Sequence, residues 1–283
     1  MYKILSRKEL NPTVTQLEIE APLVANKAKA GQFIILRVDE DGERIPLTVA
    51  GTDKKTGAVK IIFQIVGATT EKLNHKKAGE SIQDFVGPLG KATEIEGKKR
   101  VCIIGGGVGC AIALPVAQAF KEQGTEVVSI IGFRSKDLLI LEDEFRAASS
   151  KLVVMTDDGS YARQGNVTVP LKEMLEAGEK FDEIITIGPL IMMKFVTLTA
   201  KPFGVPVTAS MNPIMIDGTG MCGGCRLTLN QDGKKVTKFA CVDGPDFNGY
   251  EVDFDEAMSR GRMYFPFERH AHEEACNLFK EAK

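Results

Sequence analysis

Asp217, Cys222, Cys225 and Cys241 stand close together in the spacing D-x4-C-x2-C-x15-C. Thiolates two residues apart can grip one metal centre from a tight turn, and Gly223 and Gly224 between them let the backbone fold round inorganic sulfide. The plant-type 2Fe–2S spacing is C-x4-C-x2-C followed by a distant fourth cysteine. Here a carboxylate takes the first place, and a carboxylate can ligate iron. The same four groups also suit structural zinc, which accepts Cys and Asp, and Asp217-Gly218 has the form of a turn start. The chain has 6 cysteines and no export signal, which argues for thiols in metal chemistry rather than disulfides. Cys102, Cys110 and Cys276 stand alone, while His75, His270 and His272 lie far from the cluster in sequence and read as surface side chains.

A second constellation is Gly105-Gly-Gly-Val-Gly109, which follows an apolar run and precedes an Ala-rich helical stretch. Glycines between a strand and a helix permit a tight turn and close approach of the backbone to a pyrophosphate at the helix N-terminus, so Gly106, Gly107, Val108 and Gly109 are candidate dinucleotide contacts. A purely structural turn is the competing reading, since Cys110 occupies the last glycine place of the strict motif. The second strand ends in Gly132-Phe-Arg-Ser135 without the acidic residue that binds the adenosine ribose of NAD, and Arg134 there suits a 2′-phosphate of NADP or plain solvation.

The elements that must position these groups fall into three regions. Residues 1–97 read as short strands separated by turns: Thr13–Glu20, Gln32–Val38, and a stretch in which Val59, Ile61, Phe63 and Ile65 alternate with Lys60, Ile62 and Gln64. That pattern predicts a small antiparallel barrel. Residues 98–208 alternate apolar runs (Val101–Ile104, Val127–Ile131, Leu152–Met155, Ile184–Ile187) with amphipathic segments, which predicts βαβ units and a parallel sheet. Residues 209–283 are short, rich in Gly and Cys and poor in regular structure between Met211 and Tyr250, so a metal or a docking surface must add stability. Near the charged tail from Glu268 to Lys283, Met263, Tyr264, Phe265 and Phe267 offer a docking patch or pack on the first domain.

Length and charge agree with this division. A chain of 283 residues with net charge −2, 43% hydrophobic and 26% charged, fits a globular protein of two or three domains. No long basic stretch points to nucleic acid or an anionic membrane. Val101 to Phe120 carries no charge but contains five glycine or proline positions, counting Gly105, Gly106, Gly107, Gly109 and Pro115, and reads as strand, turn and core helix rather than a membrane span. The N-terminus has charges within its first apolar stretch and is not a signal peptide; a cytoplasmic location is expected.

Taken together, Gly87-Pro-Leu-Gly90, the glycine turn and Gly188-Pro-x-x-Met-Met193 resemble the ferredoxin–NADP reductase superfamily. The final Cys222-x-x-Cys225 and Cys241-Val-Asp-Gly-Pro245 resemble the branch that holds the electron-transfer subunit of dihydroorotate dehydrogenase, the beta subunit of sulfide dehydrogenase and the small subunit of NADH-dependent ferredoxin:NADP oxidoreductase. Aspartate at position 217 is similar to the last of these; the dihydroorotate type has cysteine there. The resemblance implies a barrel that binds FAD, a domain that binds NAD(H), and a 2Fe–2S cluster held by Asp217, Cys222, Cys225 and Cys241 near a larger redox subunit, with ferredoxin served indirectly. It implies flavin contacts at Arg44, Pro46, Leu47 and Thr48, although Arg44 falls one residue early for the usual signature. Further contacts are implied at Ile65, Val66 and Gly67-Ala-Thr69-Thr70, where the threonines also suit a helix cap. Asp157 and Asp158, with Gly188 and Pro189, are implied to face the nicotinamide nucleotide. No nucleophile–base pair is present. Hydride exchange moves two electrons and a 2Fe–2S cluster one, so a flavin must stand between them. The expected activity is that of an NAD(P)H-dependent oxidoreductase subunit. The reading from another class is a zinc-stabilised nucleotide-binding module.

Overall fold

Period-two alternation builds the first domain from β1 (Tyr2–Asn11), β2 (Val14–Glu20), β3 (Phe33–Arg37), β4 (Arg44–Asp53), β5 (Ala58–Gln64), β6 (Ser81–Ile82) and β7 (Asp84–Leu89), with two short helices, α1 (Pro22–Lys27) and α2 (Ala68–Asn74). The computed structural model describes residues 1–263 together with Phe267 and His270. The strands lie in the order β6-β1-β2-β5-β4-β3-β7. β6 and β7 are one stretch broken only at Gln83; its start pairs with β1 and its remainder with β3, so the sheet returns on itself as the expected barrel. Val59, Ile61 and Phe63 of β5 point inward to Ile4, Leu17, Ile34 and Leu36. Ile62 points the other way and is nevertheless buried, because the second domain covers the barrel there: Val14, Ala50 and Ile62 share a core with Ala113 and Leu114.

The second domain is built from β8 (Arg100–Gly106), α3 (Cys110–Glu122), β9 (Glu126–Phe133), α4 (Glu142–Ala148), β10 (Lys151–Thr156), β11 (Arg163–Gln164), α5 (Thr168–Glu176), β12 (Glu183–Ile187), α6 (Leu190–Ala200) and β13 (Val207–Ser210). Pro115 stands inside α3 rather than ending it. β8 is flanked by β9 on one side and β12 on the other, all parallel, so the strand order reverses at β8. Ligands of open α/β sheets bind at such a switch point, beyond the carboxyl ends of the strands. The glycine turn follows β8 at that end.

The last region is more regular than its composition suggests. It holds a hairpin, β14 (Arg226–Gln231) with β15 (Lys234–Phe239), then α7 (Ala240–Asp243), β16 (Asp246–Asn248) and α8 (Phe254–Gly261). The expectation of little regular structure between Met211 and Tyr250 is thereby corrected: glycines mark turns of a hairpin, not an absence of strands. β16 pairs antiparallel with β13 and joins the parallel sheet, and the expected boundary at 208 falls inside β13. The region does not form a separate core. Met211, Met215, Cys225, Leu227 and Cys241 pack with Phe33 and Ile35 of the barrel and with Met193 and Ala209 of the second domain. Met263 and Phe267 are exposed. Tyr264 and Phe265 lie outside the described residues, as do His272, Cys276 and the tail from Glu268 to Lys283 apart from His270. No helix among the described residues is long and apolar enough to cross a membrane.

Candidate functional site

The hairpin brings distant cysteines together. Cys225 directly precedes β14 and Cys241 lies in α7 directly after β15, and pairing Arg226 with Phe239 closes the intervening chain. The two sulfurs lie 3.2 Å apart, and the Cys241 N–H donates to Cys225 Sγ at 3.5 Å. Burial, and then the Cys225 thiol beside it, push the Cys241 thiol up to about 12. Two sulfurs held this close can be bridged by one metal centre, which takes the place of the thiol protons when it binds.

Asp217 and Cys222 form the other pair. The Asp217 carboxylate accepts 2.8 Å hydrogen bonds from the N–H groups of Thr219 and Cys222. The Thr219 bond, followed by those of Cys222, holds this carboxyl below its ordinary range. Cys222 is exposed, and its sulfur accepts from Gly224 N–H at 3.4 Å. Among the described residues no three His, Cys, Asp or Glu side chains converge on one ion-sized point. Three thiol groups and one carboxylate are donors that suit the irons of a 2Fe–2S cluster. The four groups therefore fit a 2Fe–2S cluster by donor chemistry.

The loop bearing Asp217 lies directly on the barrel. Gly218 has φ +77°, and a Cβ there would come within 2.6 Å of Leu89 Cδ1 and 3.1 Å of Ile35 Cδ1. Ile35 is the register partner of Pro46, and Phe33 that of Thr48, so β3 alone separates the cysteine core from the expected flavin strand. Pro46 and Thr48 share the outer face of β4 with Arg44, which is exposed. Leu47 and Ile65 instead pack their side chains against the barrel core, leaving only their main chain to face a cofactor. Val66 is exposed, and Thr70 Oγ1 accepts from the Val66 and Gly67 N–H groups at 3.0 Å, capping α2. Thr69 Oγ1 donates to Glu43 at 3.0 Å. The cap reading of Thr70 is thus realised, and its hydroxyl is already engaged.

Between the barrel and the carboxyl ends of the parallel strands lies a cleft of about 790 Å³. Gly106, Gly107, Val108, Gly109, Arg134, Asp157, Gly188 and Pro189 all line it; Asp158 does not, and its carboxylate accepts from Ser160 N–H at 2.9 Å. Gly109 is required by packing, since a Cβ would come 2.5 Å from the Ile187 carbonyl oxygen. The cleft volume suits a cofactor-sized ligand, and its backbone-lined turn at the start of α3 fits a pyrophosphate. Sequence reasoning missed Asn11, Thr13 and Gln64 from the barrel, Asn166, Thr168 and Ser210 from the second domain, and Asn212 just beyond β13. The available signal for Ser210 and Asn212 was their place just past an apolar strand, at the ligand-binding end of the sheet.

Known proteins resemble this chain over nearly its whole length. Residues 212–253 match the iron–sulfur cluster binding domain of dihydroorotate dehydrogenase B. An uncharacterised protein of Clostridium beijerinckii is 49% identical over 93% of this chain and 90% of its own. A homolog of the dihydroorotate dehydrogenase B (NAD(+)) electron transfer subunit from Thermotoga maritima is 46% identical over 96% of this chain and 95% of its own. A chain in the solved structure of NADH-dependent reduced ferredoxin–NADP oxidoreductase, described for flavin-based electron bifurcation, superposes with TM-score 0.89 at 44% identity, covering 97% of each chain.

Proposed function

We propose that this chain, which belongs to the family of dihydroorotate dehydrogenase B-type electron transfer subunits, carries electrons between NAD(H) and a larger redox subunit by way of FAD and a 2Fe–2S cluster. The observation that carries the reading is the packing of Gly218 on Ile35, the register partner of Pro46. It sets the candidate cluster ligands one strand away from the candidate flavin residues. Held by these residues, FAD would supply the exchange between two-electron hydride chemistry and one-electron transfer, and a 2Fe–2S cluster would supply the one-electron step. The chain's own residues bind, orient and seal. Backbone N–H groups of Gly107 to Gly109 suit a dinucleotide, Pro46 and Thr48 suit the flavin, and Asp217, Cys222, Cys225 and Cys241 suit the irons. Arg134, exposed at the cleft wall, suits the adenosine end of a dinucleotide.

The larger subunit is expected at the cysteine loop. Around exposed Cys222 stand Ile214, Ile216, Met221 and Val242, exposed by 42%, 47%, 89% and 39%. Such an apolar ring round a metal loop suits a protein surface that excludes water. The 44% identity and TM-score of 0.89 to the chain from ferredoxin–NADP oxidoreductase favour a subunit of that kind, with ferredoxin reached through the partner. Co-expression with a candidate larger redox subunit tests this. The isolated chain should pass electrons from NADH to artificial dyes, with ferredoxin and NADP turnover appearing only in the co-purified complex. Full turnover by the isolated chain would contradict the subunit role.

A further inference from the structure

Asp246 has no part in the path above, yet its carboxyl is buried behind the cleft. It opens β16 and is the register partner of Ser210, the last residue of β13. Directly opposed residues of a ladder present their side chains on one face. One carboxyl oxygen accepts a 2.6 Å hydrogen bond from the Thr93 hydroxyl; the other, Oδ1, is buried with no hydrogen-bond partner. A carboxylate left in that state is costly, whereas a protonated carboxyl can donate from Oδ1. Ser210 is itself buried but lines the cleft beside Gly188 and Asn212. Ser210 therefore shares a sheet face with the carboxyl and a wall with the ligand space.

The same sheet face continues this polar row to the surface. Thr208, two residues before Ser210, donates to Glu183 Oε1 at 2.5 Å, and Glu183 Oε2 pairs with Lys98 at 2.5 Å. Burial raises the Asp246 pKa, the Thr93 and Ser210 hydroxyls oppose it, and the charges of Glu183 and Lys98 act in opposite directions.

We propose that Asp246 is a positioning residue of the cleft, which holds a proton and exchanges it with the bound redox group through the Ser210 hydroxyl. The inference rests on the reading that the cleft brings a reduced dinucleotide to a flavin. A hydride leaving the dinucleotide carries two electrons and one proton, and leaves one negative charge on its acceptor. Asp246 gives its proton to Ser210 as Ser210 gives its own into the cleft; the charge is cancelled, and Asp246 remains as carboxylate. When both electrons leave towards the cluster, one proton returns to Asp246 by the same path and the one that came with the hydride goes to solvent.

The test uses the full flavin-loaded chain, wild type against Asp246→Asn and Ser210→Ala. In wild type, the flavin midpoint potential plotted against pH should bend at the Asp246 pKa, and the infrared difference between reduced and oxidised protein should show a carboxylic-acid band. Both variants should keep their flavin and lose the bend, and the band should vanish in Asp246→Asn. Flavin reduction by NADH should fall in wild type as pH rises through that pKa, and be roughly a hundredfold slower and flat in the variants below it. An unchanged bend in Asp246→Asn, or in Ser210→Ala should the former not fold, overturns the proposal alone. A wild-type chain that binds no flavin overturns the underlying reading and the proposal with it.

Discussion

Cys225 and Cys241 bring their sulfurs to 3.2 Å across a closed hairpin, inside a core that also contains Phe33 of the barrel. The pair is therefore fixed by packing from two domains before any metal arrives, whereas Asp217 and Cys222 sit on a glycine-rich loop held by backbone hydrogen bonds. This asymmetry decides which ligand changes the fold tolerates.

Asp217→Ala removes a donor from the exposed pair without disturbing the buried one. Iron and sulfide per chain should fall by roughly tenfold or more while FAD stays bound. Asp217→Cys should retain the cluster. Full cluster occupancy in the alanine variant would remove Asp217 from the ligand set.

Gly218→Ala tests the seating of the loop on the barrel. A Cβ at φ +77° would meet Leu89 Cδ1 at 2.6 Å, so strain and overpacking should together cost about 1–3 kcal/mol. Thermal unfolding should show that loss along with reduced iron content. Gly124→Ala, also at positive φ (+88°) but with open space around it, should lower stability by less and leave iron unchanged.

The structure also predicts a pH trend in stability. Burial first of all raises the Asp246 pKa above its ordinary 3.8. The fold thus favours the neutral acid: that stabilisation is complete below 3.8 and is lost as pH rises through the raised value. In thermal unfolding across pH, Asp246→Asn should gain on wild type progressively over that window. A gap that stays constant from acid to neutral pH would contradict a neutral Asp246.

Much of this was legible in the sequence because its signals are local. Val59, Ile61 and Phe63 declare a strand by alternation, Val101 to Ile104 a buried one by continuity, and the cysteine spacing declares a metal. Burial of Ile62 was not legible, since only the docking of α3 on the barrel covers it. Nor were the inward side chains of Leu47 and Ile65, whose facing is set by register. Ser210 and Asp246 lie 36 positions apart and meet only because β16 adds to the edge of β13. Lone polar residues brought together by topology leave no periodic trace.

Nucleotide preference is a separate expectation. The chain lacks the acidic residue after β9 and has Arg134 there, a weak pointer to NADP, yet the family favours NADH. Stopped-flow reduction should be faster with NADH, and Arg134→Ala should weaken dinucleotide binding without lowering flavin content. A clear preference for NADPH would reverse this choice.

The central claim is that one chain holds a dinucleotide site, a flavin and a cluster in electronic series. Its most direct test is the visible spectrum of the anaerobically purified chain, with iron, sulfide and flavin assayed, before and after an addition of NADH. The account predicts a brown-yellow protein with iron and sulfide in equal amounts and bound FAD, whose flavin absorbance bleaches on addition. A colourless protein that contains zinc and does not respond to NADH would contradict it.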